Sequence, residues 1–370
     1  MKPAKLISLT IAIAAGLIAL LMSPEYYHIN GLSVVEQRVI AIFIFAAIMW
    51  VSEAVPIWTT SVLVIVIMLL SVSDSSFLFL RNGSEHQTLG TLIKYKALMA
   101  TFADPIIMLF LGGFFLAMGA GKVGLDKNLA RVLFKPFGTK SQTVLLGLMF
   151  VTAFFSMFMS NTATTAMMFA VMAPLLKPME NSGKGRVALV LAIPVAANIG
   201  GIGTPIGTPP NAIALKYLND VDGLNLGIGF GQWMVVMVPF VAVIMLASWW
   251  ILLRLFPFKR DVLELNFEGE FEKTKKAKIV YVTFAVTVLL WMFDKFTGIN
   301  SNVVAMIPMA VFCVTGIVDK NDLKEISWDV LWLVAGGFAL GVGLQDTGLA
   351  KHMIASIPFE TWSPTMTIIG

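Results

Sequence analysis

A polar segment interrupts an apolar run in the first half of the chain, and it carries residue types suited to binding a small ion. The run reads FFSMFMSNTATTAMM and includes Ser156, Ser160, Asn161 and Thr162. A helix broken at this point leaves carbonyl groups of the first arm and N–H groups of the second arm without intrahelical partners. Carbonyl and hydroxyl oxygens suit a small cation, whereas N–H groups at a positive helix end suit a carboxylate. The pattern favours a helical hairpin with a binding tip; hydroxyls that bond back to their own helix or join helices are the alternative.

A second interruption follows in NIGGIGTPIGTPPNAIAL, residues 198–215. It contains four glycines and three prolines, which cannot continue a helix across the middle of an apolar segment. Unwound backbone at membrane depth is tolerated only where it is buried or lines a cavity, and paired interruptions of this kind are typical of transporter sites. Thr204, Thr208 and Asn211 add donors and acceptors. A simple proline kink, the alternative, needs far fewer of these residues.

The composition places both interruptions in a membrane protein. Hydrophobic residues make up 58% of the chain, charged residues only 13%, and the mean hydropathy is +0.85. A soluble domain is about 25% charged. Several apolar runs approach the ~20 residues that cross a bilayer, and the weak alternation of an outer-membrane barrel is absent. We expect an all-α polytopic membrane protein with full spans at 6–22, 37–55, 57–73, 97–121, 187–218 (interrupted), 229–256, 279–296, 301–318 and 326–348.

The basic residues predict how these spans are oriented. When 141–176 is treated as a re-entrant hairpin, 19 of the 26 lysine and arginine residues fall on the same side as the N-terminus. The positive-inside rule makes that side cytoplasmic. Treating 141–176 as an ordinary span would move the basic cluster at 254–278 to the outside. The net charge of +4 then reflects membrane orientation, and we expect no nucleic-acid partner.

The chain also contains two similar segments that indicate an internal repeat. Residues 109–125 read LFLGGFFLAMGAGKVGL and residues 333–349 read LVAGGFALGVGLQDTGL, at an offset of 224. Small-residue packing motifs recur by chance in membrane chains. If the repeat is real, its copies run in opposite directions, as in the inverted repeats of secondary transporters. The predicted domains are an extra N-terminal helix at 1–33, a first repeat at 34–256, and the start of a second repeat at 277–370. Within the first repeat we expect scaffold helices at 37–121, the hairpin and broken helix at 141–218, and a helix at 229–256.

The residues that are absent from the two interruptions exclude several kinds of chemistry. None of the three histidines lies near either one, so Ser160 has no base to activate it as a nucleophile. Glu53, Asp104 and Asp294 lie near span ends, which argues against a carboxylate proton relay and for a metal cation as coupling ion. No Walker-type motif suggests ATP. We therefore expect a transporter and not an enzyme.

Ser160-Asn161-Thr162 at a hairpin tip, with Gly207-Thr208-Pro209-Pro210-Asn211 in a broken helix, resembles the divalent anion:sodium symporter family, in particular its bacterial dicarboxylate members. The resemblance covers the whole chain. It implies sodium-coupled import of C4-dicarboxylates (succinate, malate, fumarate) across the bacterial inner membrane by a homodimer with an elevator-type mechanism. It places sodium at Ser156, Ser160, Asn161 and Gly207. It places the substrate at Asn161, Thr162, Thr208 and Pro209.

The chain departs from the family pattern in its second half. A second Ser-Asn-Thr hairpin would fall near position 384, beyond Gly370, so we expect an incomplete second repeat and no transport by the 370 residues alone. Two other functions stay open. One is a sodium-independent dicarboxylate exchanger, which a positive side chain near Ser160 or Gly207 would favour. The other is a membrane receptor or incomplete paralogue that binds without transporting.

Overall fold

The computed structural model describes residues 3–82, 87–176, 183–219, 225–259, 262–263 and 271–356, without the side chains of residues 174 and 175. Within these ranges the regular structure is helical, apart from isolated bridges at Ser73 with Ile93 and at Lys140 with Val262. Lys2, Lys177 and Arg260, which enter the predicted charge distribution, lie outside the described residues, as do the last residues, 357–370, of the predicted second repeat.

The described residues form seventeen α-helices. In chain order they are α1 Pro3–Leu21, α2 Val34–Ser52, α3 Ile57–Ser71, α4 Tyr95–Ala100, α5 Pro105–Lys122, α6 Leu125–Phe134, α7 Ser141–Ser156, α8 Asn161–Leu176, α9 Lys184–Gly201, α10 Pro209–Leu218, α11 Phe230–Leu255, α12 Lys275–Met292, α13 Asp294–Thr297, α14 Ser301–Val304, α15 Met306–Val314, α16 Trp328–Asp346 and α17 Leu349–Ser356.

Within the described ranges, six helical segments are long and apolar enough to cross a membrane, by length and composition. They are Pro3–Leu21, Val34–Ser52, Tyr95–Lys122, Lys184–Gly201, Phe230–Leu255 and Trp328–Asp346. Three shorter apolar helical segments, Ile57–Ser71, Ser141–Ser156 and Ser301–Val314, match further parts of the predicted pattern. The prediction of an all-α polytopic membrane protein is confirmed.

The chain divides into two compact units, the first formed by residues 1–104 and 328–370. In this unit α2 begins with a capping box, in which Ser33 Oγ accepts from Glu36 N at 3.3 Å and Glu36 Oε2 accepts from Ser33 N at 2.7 Å. Helix α16 packs closely on α3, because a Cβ on Gly336 would lie only 2.5 Å from Ser61 Cβ. Small residues allow this approach between membrane helices.

The second unit, residues 105–327, contains both interruptions. Its core is an apolar cluster built mainly from α7, α8, α9 and α11. In the same unit, α5 packs against α14 and α15, where a Cβ on Gly112 would lie 2.3 Å from Ala305 O. The fully buried members of the core cluster from the hairpin and α9 include Val144, Leu145, Leu148, Met149, Met168, Met172, Leu189, Ile193 and Ala196.

Candidate functional site

The first interruption folds as a helical hairpin. Helix α7 ends at Ser156 and α8 begins at Asn161, with the turn 157–160 between them. Ser160 starts the second arm: its Oγ accepts from Ala163 N at 3.3 Å and its carbonyl accepts from Thr164 N at 2.9 Å. A serine hydroxyl in this position satisfies an N–H group of the first helical turn, which is why the chain re-enters a helix here.

The second interruption separates α9 from α10. Helix α9 ends at Gly201, and α10 begins with two prolines whose missing N–H groups cost nothing in a first turn. Asn211 holds the unwound segment between them: its Nδ2 donates to Gly201 O and to Thr204 O, both at 2.8 Å. Trp233 Nε1 adds a hydrogen bond to Ile202 O at 3.0 Å. The unwound backbone is thus fixed by side chains.

The hairpin tip and the unwound segment are in direct contact. Thr204 Oγ1 donates to Met157 O in the hairpin turn. Asn161 accepts from Ser156 Oγ through Oδ1 at 2.7 Å and donates through Nδ2 to Asn198 Oδ1, on α9, at 3.1 Å. One asparagine therefore connects both arms of the hairpin with the end of the broken helix.

Two glycines make this contact possible. A Cβ on Gly201 would lie 2.5 Å from Asn161 Oδ1 and 3.2 Å from Gly207 O, and a Cβ on Gly207 would lie 2.3 Å from Gly201 O. Side chains at these positions would force the backbone segments apart, because real Cβ atoms do not approach neighbours so closely. Asn161 Oδ1 and Gly207 O therefore both face the α-carbon of Gly201.

Uncharged oxygen atoms lie close together where the hairpin tip contacts the unwound segment, and the C-terminal ends of two helices add negative potential there. Ser156 and Gly207 are buried, and Asn161 is half-buried. Both α7 and α9 end here, so the negative ends of two helix dipoles are directed at the cluster. Oxygen ligands of this type, from hydroxyl, amide and backbone groups, suit a hard cation. The described residues contain no group of three or more His, Cys, Asp or Glu side chains arranged to hold a metal.

Of the residues predicted to bind an anion, Asn161 belongs to this cluster, and Thr162, Thr208 and Pro209 are its neighbours along the chain. Thr162 is exposed in the first turn of α8, and Thr208 is half-buried as the residue before α10. Pro209 has no N–H group and can contribute only its ring and carbonyl. The structure thus brings Ser156, Asn161 and Gly207 into one cluster, with Ser160 in the adjoining turn.

Asn198 is a site residue that sequence reasoning missed. It is exposed at the end of α9, where its side chain accepts from Asn161. The signal was available, since a lone amide occurs one turn before the break in an otherwise apolar helix, AIPVAANIGG. The carbonyl of Met157 was also missed, because residue type does not reveal which backbone carbonyl a turn directs toward a neighbour.

Comparison with known sequences places the chain in a family. The profile of the citrate transporter family (CitMHS) matches residues 47–370. The chain belongs to this family. The chain is also 29% identical over 379 residues to the sodium-dependent dicarboxylate transporter SdcS of Staphylococcus aureus, covering 93% of this chain and 69% of that protein. The resemblance drawn from the two motifs is confirmed. The matched family is one of transporters, in agreement with the expectation of a transporter and not an enzyme.

Two fungal relatives have longer chains. An inorganic phosphate transporter of Saccharomyces cerevisiae is 31% identical over 319 residues, which cover 85% of this chain and 33% of the yeast protein. An uncharacterized transporter of Schizosaccharomyces pombe is 30% identical over 330 residues, which cover 87% of this chain and 36% of that protein. The chain thus spans about a third of the length of these two relatives.

Proposed function

We propose that this protein is a secondary active transporter that imports C4-dicarboxylates, such as succinate, malate and fumarate, together with sodium. The observation that carries the proposal is the junction at Asn161, where the hairpin tip meets the broken helix. Asn161 belongs to the cluster of neutral oxygens and is also the first residue of α8. The similarity to a sodium-dependent dicarboxylate transporter supports the choice of ion and substrate.

Sodium binds to oxygens of Ser156, Ser160, Asn161 and Gly207 in this proposal. The cation lies at the negative ends of α7 and α9, which stabilise it without a formal negative charge. Once bound, it holds Asn161 in a fixed orientation and places a positive charge next to the first turn of α8.

The dicarboxylate binds beside the cation, through Asn161, Thr162, Thr208 and Pro209. Asn161 and Thr162 supply amide and hydroxyl donors, and Thr208 adds a hydroxyl. Hydrogen bonds to a charged acceptor contribute about 1.5–3 kcal/mol each. The adjacent cation lowers the cost of bringing the carboxylate to membrane depth, so each ligand increases the affinity for the other.

The proposal also includes a homodimer that works by an elevator-type mechanism and contains the inverted repeat. It places the protein in the bacterial inner membrane with a cytoplasmic N-terminus. The hairpin and the broken helix belong to the same compact unit, as a domain that carries both across the membrane together requires. The oxygen cluster itself does not depend on these features.

Phosphate is the second candidate substrate, because one fungal relative is an inorganic phosphate transporter. The same hydroxyl and amide donors can bind a tetrahedral oxyanion. A dicarboxylate has two separated charged groups, whereas phosphate has one compact group. A transport assay in which the two anions compete therefore distinguishes these substrates.

The experiment is uptake of labelled succinate into proteoliposomes that contain the complete protein, under an inward gradient of sodium or of choline. We expect accumulation with sodium only, with malate and fumarate as strong competitors and phosphate as a weak one. Equal uptake in choline would contradict sodium coupling and favour the exchanger. Uptake of labelled phosphate with no uptake of succinate would contradict the substrate class.

A further inference from the structure

The end of the second unit that lies away from the hairpin tip is formed by three helices. Helices α7 and α9 begin there, and α11 ends there. Trp249 Nε1 of α11 donates to Gln142 O in the first turn of α7 at 2.9 Å. A Cβ on Gly185, in the first turn of α9, would lie 2.7 Å from Phe258 Cδ1. The segment after α11 therefore crosses the beginnings of both other helices.

A cavity of ≈ 480 Å³ lies at this junction. One wall is polar and comes from the start of α7; the other wall is largely apolar and comes from the end of α11 and the segment after it. The polar wall consists of Lys140, Ser141, Gln142 and Thr143, and the apolar wall of Leu253, Pro257, Phe258 and Val262. A ligand that fills it must have a polar part and an apolar part.

Positive charge is concentrated around this cavity. Lys140 lines the cavity and is exposed. Lys259 is exposed and directly follows the lining residue Phe258, and its Nζ lies 4.0 Å from the Cβ position of Gly183, at the start of α9, next to the exposed Lys184. The first turns of α7 and α9 contain no acidic residue, and in the part of the chain that the structure describes neither helix has a side-chain hydrogen bond at its N-cap. Arg186 Nε, in the first turn of α9, is buried and has no hydrogen-bond partner among the described residues. The excess of positive groups favours an anionic ligand.

The outer surface of α11 shows at which depth the cavity lies. This 26-residue helix exposes Leu246, Ile251 and Leu255, and near its end Arg254 lies over the ring of Trp250 at 5.2 Å. Tryptophan and arginine at the end of an apolar helix are typical of the level of the lipid headgroups. The exposed apolar face of α11 leads away from the cavity into the hydrocarbon region.

We propose that this cavity binds the headgroup of an anionic phospholipid, with its phosphodiester near Lys140 and Lys259 and its acyl chains along α11. Basic pockets between membrane helices are suited to such headgroups. The apolar wall and the adjoining face of α11 favour a lipid over free phosphate, which has no apolar part. The site is separate from the hairpin tip, and it does not depend on which anion is transported.

The test is native mass spectrometry of the protein in detergent, titrated with palmitoyl-oleoyl phosphatidylglycerol or with phosphatidylcholine that has the same chains. We expect tighter binding of phosphatidylglycerol to the unmodified protein. The double variant Lys140→Gln/Lys259→Gln should bind phosphatidylglycerol roughly 25-fold more weakly, since each lysine near an anionic headgroup accounts for about fivefold in affinity. Lys94→Gln with Lys96→Gln, two exposed lysines in the first unit, is the matched control and should leave it unchanged.

Equal binding of the two lipids to the unmodified protein would contradict the proposal. So would an unchanged affinity in the Lys140/Lys259 variant. Inorganic phosphate, added at the lipid concentration, should not displace phosphatidylglycerol; full displacement would show that the cavity recognises a free anion and not a lipid. If the double variant does not fold, lipid selectivity and phosphate competition in the unmodified protein decide the question.

Discussion

At the scale of single residues, Asn161 has two different partners through one side chain. Its oxygen accepts from Ser156 within the hairpin, and its nitrogen donates to Asn198 on the broken helix. Both partners orient the amide in the same sense, so its oxygen faces the buried cluster. A cation bound at that oxygen and an anion bound at the neighbouring Thr162 would then be coupled through adjacent positions of one helical turn.

Thr162→Ala should raise the succinate KM roughly tenfold, because a charged carboxylate loses one hydroxyl donor. The sodium dependence should stay unchanged. The measurement is initial uptake rate against succinate concentration at saturating sodium. Thr91→Ala, an exposed threonine in a loop of the first unit, is the control and should behave as the unmodified protein. An unchanged succinate KM in Thr162→Ala would remove this residue from the site.

Ser156→Ala should raise the sodium concentration that gives half-maximal uptake by about fivefold, the equivalent of one hydrogen bond. Its hydroxyl is buried and holds Asn161 Oδ1 in place. Thr152→Ala is a matched control, because Thr152 is also fully buried in α7 but donates to Leu148 O of its own helix. Equal sodium dependence in the two variants would show that Ser156 only packs.

At the scale of helices, the site depends on how closely the two interruptions approach each other. Gly201 and Gly207 allow backbone segments to touch where any side chain would hold them apart. Asn211 and Thr204 then fix the unwound segment by hydrogen bonds to carbonyls. The broken helix is therefore a rigid support for the hairpin tip and not a loose connection.

Gly207→Ala should lower the free energy of unfolding by about 1–3 kcal/mol, the usual cost of overpacking, and should abolish uptake. Its added Cβ would lie 2.3 Å from Gly201 O. Gly121→Ala is the control: this glycine lies near the end of α5 with no neighbour within 4 Å of a Cβ, so alanine should be neutral or slightly stabilising. Thermal unfolding in detergent, followed by fluorescence, measures the stability of both variants. Equal melting temperatures would contradict the close approach.

A second link between elements joins the end of α5 to the segment before α16. Lys122 Nζ donates to Asp322 and, at 2.9 Å, to Ile317 O. The Lys122 ammonium group, with the N–H of Asp319 as a second donor, lowers the pKa of Asp322 below its ordinary value of 3.8. Because the pKa of Asp322 is lower in the folded state, the ion pair stabilises the fold fully at pH values above the pKa of aspartate in the unfolded chain. This stabilisation is lost as the pH falls through the pKa of the folded state.

Asp322→Asn should therefore reduce stability by about 1 kcal/mol at neutral pH, the upper range for a partly exposed ion pair. The difference from the unmodified protein should begin to shrink as the pH falls below about 4, the ordinary pKa of an aspartate in the unfolded chain, and should disappear below the lowered pKa of the folded state. Melting temperatures between neutral and acidic pH measure it. Asp329→Asn, at an exposed position, is the comparison. A difference that persists unchanged in acid would contradict the assignment to the ionised pair.

At the scale of the whole molecule, much of the architecture was predictable because membrane depth leaves few choices. Apolar length indicated the spans, and the Ser-Asn-Thr and Gly-Pro segments indicated both interruptions, since unpaired polar backbone is costly in lipid. The contact between the interruptions was not predictable, because it depends on three-dimensional approach at Gly201 and Gly207. Asn198 could have been identified as a lone amide in an apolar helix, but its partner Asn161 could not. The inverted repeat, the homodimer and the domain boundaries stay predictions.

The central claim is that sodium and the dicarboxylate occupy one coupled site at the hairpin tip. The most direct test is the melting temperature of the purified complete protein with succinate in sodium or in choline chloride at equal ionic strength. Ligand that binds only the folded state raises this temperature. We predict a rise with succinate in sodium and none in choline, and loss of the rise in Asn161→Ala. An equal rise in both salts, or a rise that survives Asn161→Ala, would contradict the account.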